Sequence, residues 1–397
     1  LSQSNWQELE QKLFLRTFKR LPVTLVRGQG SRVWDDENRC YLDFVSGWAV
    51  NSLGHCHPVV VGALEEQARK LIHVSNQFYS VPQLELAQLL VENSCLDRVF
   101  FCNSGAEANE GAIKLARRYG QIHLQGAYEI ITACDSFHGR TLFMTAATGQ
   151  HRFQSLYEPL PAGFVNVPYN DVEAVQKATS SQTCGVLLEP IQGEGGVNIP
   201  DAGYLEEVRH WCEDKGILFI LDEVQTGIGR TGTLFAYEQF GVKPDIMTLA
   251  KGLGSGVPIG AFLSREEFSV FSPGEHGTTF GGNPLVCAAA HAALQFIIEN
   301  DIPGHAGEAG KYFVGKLEEL KEEFDMINDV RGRGLLIALG LTREIADEIV
   351  KQCLVRGLLV NKLKPDALRF MPPLNVTFAE IDEAVDILRQ VLALQLS

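Results

Sequence analysis

From about residue 58 onward the chain alternates short, nearly unbroken apolar runs with amphipathic stretches. The runs are Val99–Cys102, Glu129–Ala133, Gly163–Val167, Cys184–Leu188, Ile217–Leu221, Ile246–Leu249 and Gly260–Leu263. Apolar runs of this length suit strands buried on both faces. Helical stretches precede them (58–73, 82–94) and separate them. This alternation predicts βαβ units, hence an α/β fold with a mainly parallel sheet covered by helices on both faces. Ahead of it, residues 12–20 read as a short basic amphipathic helix, and 23–45 as a strand meander turning at Asp35-Asp-Glu-Asn38. Beyond Pro284 an Ala-rich helix over 285–299 leads into helix, strand Leu335–Leu339, helix, short strand Leu358–Asn361, strand Leu368–Met371 and helix. These stretches divide the chain into an N-terminal segment 1–57, a large domain 58–285 and a small α+β domain 286–397, and the N-terminal segment is expected to pack with the small domain.

Composition narrows the function classes. At 397 residues, 45% apolar and 21% charged, the chain is an ordinary globular one, long enough for more than one domain. A net charge of −15 argues against nucleic acid as the main partner, because phosphate binding needs clustered Lys and Arg. No apolar window is long enough to predict a membrane span. The start, LSQSNWQELEQ, lacks the basic and apolar regions of a signal peptide. Nine cysteines with no CxxC pair read as reduced, mostly packed thiols of a cytosolic protein. His55-Cys-His57 is the nearest thing to a metal pattern, but it runs into Pro58 and has no second ligand pair, so no metal is expected.

In open α/β sheets ligands bind beyond the carboxyl ends of strands, so the residues that follow each run matter most. Asn103-Ser-Gly-Ala-Glu-Ala-Asn-Glu110 follows the first run and opens a helix. Its Gly turn suits an anion at a helix N-terminus, or simply a tight turn capped by Asn103 or Ser104. Cys134-Asp-Ser-Phe-His-Gly-Arg-Thr141 offers an aromatic to stack on a ring and an Arg for a carboxylate, or a packed Phe137 and a solvated Arg140. Asp222 and Lys251 end successive apolar strands, where a charge is costly without a partner. They are a structural ion pair or two walls of one crevice. Gly227-Ile-Gly-Arg-Thr-Gly232 matches GxGxxG, but Asp222–Thr226 separate it from the strand, so it is not taken as a dinucleotide site. A phosphate turn, a stacking aromatic, a strand-end Asp and a strand-end Lys together suggest pyridoxal phosphate. Lys251 would hold it as a Schiff base and shuttle a proton. Asp222 would keep the pyridine nitrogen protonated. Phe137 would cover one ring face, and Gly105 and Ala106 would donate N–H groups to the phosphate.

The chain resembles the class III (ω-amino-acid) aminotransferases, which have the fold type I of pyridoxal phosphate enzymes. The resemblance runs over essentially its whole length. It is carried by Val50-Asn-Ser-Leu-Gly-His-Cys-His-Pro58, Asn103–Asn109, Ser136-Phe-His-Gly-Arg-Thr141 and Glu189-Pro-Ile-Gln-Gly-Glu-Gly-Gly196. Further on it is carried by Leu221-Asp-Glu-Val-Gln-Thr-Gly227, Thr248-Leu-Ala-Lys-Gly252, His276-Gly-Thr-Thr-Phe-Gly-Gly-Asn-Pro284 and Leu368-Arg-Phe-Met-Pro-Pro373. The resemblance implies a seven-stranded, mainly parallel sheet and a smaller α+β domain. It implies that Lys251 holds the cofactor, Asp222 faces its nitrogen, Val224 packs on the ring and Gln225 bonds the phenolic oxygen. Thr279 would reach the phosphate of the neighbouring subunit, making a homodimer with active sites at the interface. Thr278 would line the substrate pocket, Arg140 would bind the distal substrate carboxylate and Arg369 the α-carboxylate of glutamate or 2-oxoglutarate. Glu194 would be a gate that neutralises Arg369 when the substrate brings no α-carboxylate. Within the family the chain is most similar to members whose donor is N2-acetylornithine. Succinylornithine, ornithine, 4-aminobutyrate or a lysine-pathway donor are the alternatives within this chemistry. A fold-type-I racemase or aminomutase is the alternative outside it, and Arg140, Arg369 and Glu194 together argue against that. An intact Lys251 and Asp222 argue against a non-catalytic binding protein. Trp48 stands where relatives vary, either against the acyl end of the substrate or as a core aromatic.

Overall fold

The computed structural model describes residues 3–396, so Leu1 and Ser2 of the N-terminal segment and Ser397 of the C-terminal one lie outside it. All seven apolar runs become strands of one sheet. Three shorter strands come first: β1 (Leu25–Gln29), β2 (Arg32–Asp35) and β3 (Cys40–Asp43). The sheet itself is built from β4 (Arg98–Cys102), β5 (Glu129–Ala133), β6 (Phe164–Val167), β7 (Thr183–Leu188), β8 (Leu218–Asp222), β9 (Ile246–Leu249) and β10 (Gly260–Ser264). Their order is β4-β10-β9-β8-β7-β5-β6, with β10 antiparallel to both neighbours and all other pairs parallel. Every residue of β7, β8 and β9 is buried. Successive residues face opposite ways, as a pleated strand requires. Ile130, Leu187, Ile220 and Phe262 pack with helix Gly105–His123. Ile131, Val186, Leu221 and Leu263 pack on the other side, in the core shared with helices Val81–Glu92 and Pro284–Glu299.

The C-terminal region adds β11 (Ile327–Arg333), β12 (Leu336–Leu341), β13 (Leu358–Leu359), β14 (Asn361–Lys364) and β15 (Ala367–Phe370). Four of these form an antiparallel sheet in the order β11-β12-β15-β14. The remaining one, β13, pairs in parallel with β3, which ties the N-terminal meander to the C-terminal region. The expected strand over 358–361 is thus two strands in two sheets, and β11 was not expected at all. The expected basic helix over 12–20 is also wrong. The helix is Gln3–Leu13, and no helix forms from Phe14 to Arg20. Leu13, Phe14 and Leu15 are consecutive and all exposed, a pattern that no single helix face can bury. Among the described residues no single helix is long and apolar enough to cross a membrane.

Candidate active site

A cavity of about 350 Å³ opens at the carboxyl ends of β4, β5, β8 and β9. Gly105, Ala106, Phe137, Asp222, Val224, Gln225, Lys251 and Glu194 all line it. Lys251 leaves β9 with φ +41°, a left-handed conformation that costs a non-glycine residue energy. Its amine makes no hydrogen bond or ion pair among the described residues. Burial pushes it below the usual lysine range, against the pull of Glu194 and Asp222.

Asp222 is held from three sides. Its Oδ2 accepts from Asn109 Nδ2 at 2.7 Å and lies 2.7 Å from His138 Nδ1, while its Oδ1 accepts from the Val224 amide at 3.0 Å. Asn109 is itself oriented, accepting from the Thr248 hydroxyl at 2.7 Å. Burial alone would lower the His138 imidazole, but the hydrogen bond and charge of Asp222 more than reverse this. His138 Nε2 is buried without a partner. Neither His138 nor Asn109 was assigned a role from sequence, although both lie inside motifs quoted above. A polar residue between Phe137 and Gly139 was the available signal.

Helix Gly105–His123 begins at this cavity. Ser104 caps it by accepting from the Glu107 amide at 3.2 Å, which leaves the Gly105 and Ala106 amides without a capping side chain. Position 105 must be glycine, because a Cβ there would meet Val224 at 2.8 Å.

Arg369, on β15, has no side-chain exposure, and among the described residues its one carboxylate partner is Glu194 at 2.8 Å. Asn361, directly across the ladder on β14, accepts from Arg369 Nε at 3.1 Å and Nη2 at 2.9 Å, and was not foreseen. Gln225 also joins this group, accepting from Arg369 at 3.2 Å and donating to Glu194 at 3.4 Å. Burial would raise the Glu194 carboxyl, but Arg369 and Lys251 hold it below its usual range. The loop bearing Glu194 is fastened along its backbone. The Gly193 amide donates to Glu189 at 3.3 Å and its carbonyl accepts from Arg369 at 2.9 Å. Gly196 O accepts from Arg331 at 2.8 and 2.6 Å, and Gln192 and Asn198 close the loop with a pair of backbone bonds. Glu189 also accepts from the Phe137 amide at 3.0 Å, and burial pushes its carboxyl up to about 7.

Ser46, Gly47, Trp48 and Ala49 form a left-handed turn, with φ between 50° and 68°. Asp43 fixes its start by accepting from the Val45 and Ser46 amides, and His55 holds the other Asp43 oxygen at 2.7 Å. His55, half of the apparent metal pattern, thus serves this turn. Trp48 is 50% exposed and lies 5.7 Å from the Arg369 guanidinium, which removes the core-aromatic reading.

Four predicted residues stand away from the cavity lining: Arg369, which reaches it through Glu194 and Gln225, and three others. Arg140 is exposed and stacks over Phe153 at 4.1 Å and Phe137 at 5.3 Å. Thr278 accepts from Asn103 at 3.3 Å, at the edge of the phosphate turn. Thr279 is exposed.

The cavity fits pyridoxal phosphate. It offers an unpaired amine at Lys251, an oriented carboxylate at Asp222 for a ring nitrogen, and uncapped amides at Gly105 and Ala106 for a phosphate.

Comparison with known proteins agrees. The family model described as aminotransferase class-III matches residues 15–392. The acetylornithine aminotransferase of Caldanaerobacter subterraneus subsp. tengcongensis is 52% identical over 385 residues, covering 97% of this chain and 98% of the relative. The ornithine aminotransferase of Toxoplasma gondii ME49 superposes with a TM-score of 0.96 at 33% identity, covering 100% of this chain and 96% of the other. The acetylornithine aminotransferase of Elizabethkingia anophelis gives 0.89 at 36% identity, covering 99% of both. Since likeness extends along the full chain, and a lysine, an aspartate and a helix start converge on one cavity, this chain belongs to the class-III aminotransferases and is a pyridoxal-phosphate-dependent enzyme.

Proposed function

We propose that the chain moves the δ-amino group of N2-acetyl-L-ornithine to 2-oxoglutarate, giving N-acetyl-L-glutamate 5-semialdehyde and L-glutamate in arginine biosynthesis. The observation that carries this reading is the Arg369–Glu194 pair, whose carboxylate lines the cavity that holds Lys251. A buried guanidinium left unpaired costs about 3–5 kcal/mol. The donor presents a terminal amine with no adjacent carboxylate, so Glu194 keeps Arg369 paired. When 2-oxoglutarate enters, its α-carboxylate takes the place of Glu194 and pairs with Arg369. One pocket then serves both substrates in a ping-pong cycle.

Pyridoxal phosphate, when bound, supplies the electron sink and carries the amino group between the two substrates. Lys251 holds it, and the Lys251 Nζ moves the proton at the substrate carbon that bears the amine. Asp222 holds a proton on the ring nitrogen, with Asn109 and His138 keeping its Oδ2 in place. Phe137 and Val224 pack on the ring, Gln225 bonds its phenolic oxygen, and Gly105 and Ala106 bind the phosphate. Arg140 takes the distal carboxylate of the donor, Thr278 lines its pocket, and Trp48 packs on its acyl end. The choice of donor is supported by the acetylornithine aminotransferases among the relatives. Ornithine is the second reading, favoured by the close superposition on the Toxoplasma gondii enzyme.

The active unit is a homodimer in which Thr279 reaches the phosphate bound by the other subunit. Support comes from an exposed apolar patch in which Phe280, Phe78, Tyr79 and Ile72 are 60%, 64%, 94% and 55% exposed. Asn76 joins the two segments by donating to Gly281 O at 3.2 Å. Nine free cysteines support the reducing cytoplasm as its compartment.

The test is the visible spectrum of the purified holoenzyme before and after N2-acetylornithine is added without keto acid. The band of the lysine-bound cofactor gives way to the shorter-wavelength pyridoxamine form. A yellow protein unmoved by this donor, but bleached by ornithine, succinylornithine or 4-aminobutyrate, overturns the donor and keeps the chemistry.

A further inference from the structure

The Gly227–Gly232 segment has no part in the chemistry above, yet it carries a buried charge that the cavity does not use. Arg230 is 2% exposed. No carboxylate pairs with it among the described residues, and burial pushes its guanidinium down to about 9. Nη2 has no hydrogen-bond partner. Nη1 donates to two carbonyls of the C-terminal sheet, Leu335 O at 3.0 Å and Pro372 O at 2.6 Å. Leu335 immediately precedes β12 and Pro372 lies two residues past the end of β15. These strands are paired, with Ile337 opposite Phe370, so one guanidinium grips both at the same end. The backbones meet there as well. Leu335 N donates to Arg230 O at 2.9 Å, and a Cβ on Gly334 would meet Thr231 C at 2.5 Å and Arg230 O at 2.6 Å. On its other side the segment continues the turn that begins at Asp222. Gly227 N donates to Glu223 O at 3.0 Å, and the buried Glu223 carboxylate accepts from Thr226 Oγ1 at 2.7 Å and from the Ala236 and Tyr237 amides at 2.9 and 2.8 Å.

A buried guanidinium without a counter-charge is costly, and an apolar side chain of like volume would fill the space more cheaply. What the arginine alone supplies is a rigid fork that reaches two carbonyls of β12 and β15 from the Asp222 turn. We propose that Arg230 is a positioning residue for the acceptor half-reaction, fixing the distance between Arg369 on β15 and the Asp222–Lys251 side of the cavity. The inference rests on the assignment of Arg369 to the α-carboxylate of 2-oxoglutarate. That carboxylate is bonded directly to the reacting carbon, so a shift of Arg369 displaces the reacting carbon with it. The donor places no carboxylate on Arg369 and is spared.

The experiment compares Arg230→Lys, Arg230→Met and Gly334→Ala holoenzymes with wild type, measuring each half-reaction separately by stopped-flow absorbance alongside thermal melting. Gly334→Ala forces the same seam apart through the Arg230 and Thr231 backbone while leaving the Arg230 side chain unaltered. In the folded variants the acceptor half-reaction with 2-oxoglutarate loses about tenfold or more in kcat/KM, since a misplacement of about 1 Å can cost up to about a hundredfold. The donor half-reaction stays within about twofold in kcat/KM. Equal losses in both half-reactions, no change in a folded variant, or failure of all three to fold would each overturn the inference. Arg369→Lys is the reference. If it leaves the KM for 2-oxoglutarate unchanged, the assignment of Arg369 fails. If it raises that KM while the Arg230 and Gly334 variants leave the acceptor half-reaction unimpaired, only the role of Arg230 fails.

Discussion

Lys251 is a charge taken out of water, and its cost has a pH signature. With its proton affinity lowered by burial, the folded chain binds fewer protons than the unfolded chain between that lowered value and 10.5. Stability therefore rises with pH across this window, and the penalty is fully present below it. Lys251→Met should raise the melting temperature of the cofactor-free protein at neutral pH while abolishing transfer, and the gain should shrink toward pH 10.5. A gain that grows with pH would contradict the burial argument. At Glu194 the expectation concerns preference rather than stability. If Glu194 is the proposed gate, Glu194→Ala removes the group that the α-carboxylate must displace, and leaves Arg369 free to draw the donor's carboxylate to the wrong end. The ratio of kcat/KM for 2-oxoglutarate to that for the donor should rise about tenfold, about 1.4 kcal/mol of the 3–5 kcal/mol that a broken buried pair can cost. Steady-state kinetics in both directions would check this. Asp222 and Lys251 were legible in the sequence because each ends an apolar run where a charge needs a reason. Asn361, Asn109 and His138 were not. Each meets its partner across 8 residues or more of chain, through pairings that no local pattern encodes.

At the scale of elements, strain collects where the chain enters the cavity. Ser46–Ala49 turn left-handed ahead of it, Val197 has φ +54° in the Glu194 loop, and Lys251 has φ +41°. Such conformations cost about 1–2 kcal/mol per residue and persist only where surroundings enforce them. Ser46 is a clean test, because its hydroxyl is buried without a partner. Ser46→Gly removes both penalties at some cost in chain entropy, and should stabilise the protein by about 1 kcal/mol, roughly 1 °C in melting temperature for a chain this long. Differential scanning calorimetry would read it. The seven strands of the central sheet were legible because burial on both faces leaves a continuous apolar signature. β11 was not, since Ile327-Asn-Asp-Val-Arg-Gly-Arg333 is half polar and takes its place by pairing with β12 and burying Ile327, neither of which its own pattern announces. Nor could the split at Val360 be seen, because it is a change of pairing partner, which no local pattern encodes.

At the scale of the molecule, the proposed sharing of active sites between two subunits makes a prediction that a single chain cannot satisfy. Lys251→Ala is inactive in its own pocket but still offers Thr279. Thr279→Asp keeps Lys251 but sets a negative charge against the phosphate. Unfolded together and refolded, the two should form mixed dimers with one intact site each and recover activity that neither shows alone. No recovery in mixtures that do form dimers would mean that Thr279 serves its own chain. The clasp between the sheets also bears on how the enzyme changes substrates. The Glu194 loop is fastened at Gly193 by Glu189 and Arg369 and at Gly196 by Arg331, with both arginines reaching in from the C-terminal sheet. With its main chain so held, releasing Arg369 requires only a rotamer hop of one side chain. Glu194 is only a quarter exposed and must leave an ion pair, so its hop is slower than the picosecond-to-nanosecond hops of free exposed side chains, but it needs none of the backbone motion by which lids open in microseconds to milliseconds. Alternating between an amine and a keto acid then consumes a negligible share of each catalytic cycle, and turnover should not slow with solvent viscosity on account of this step.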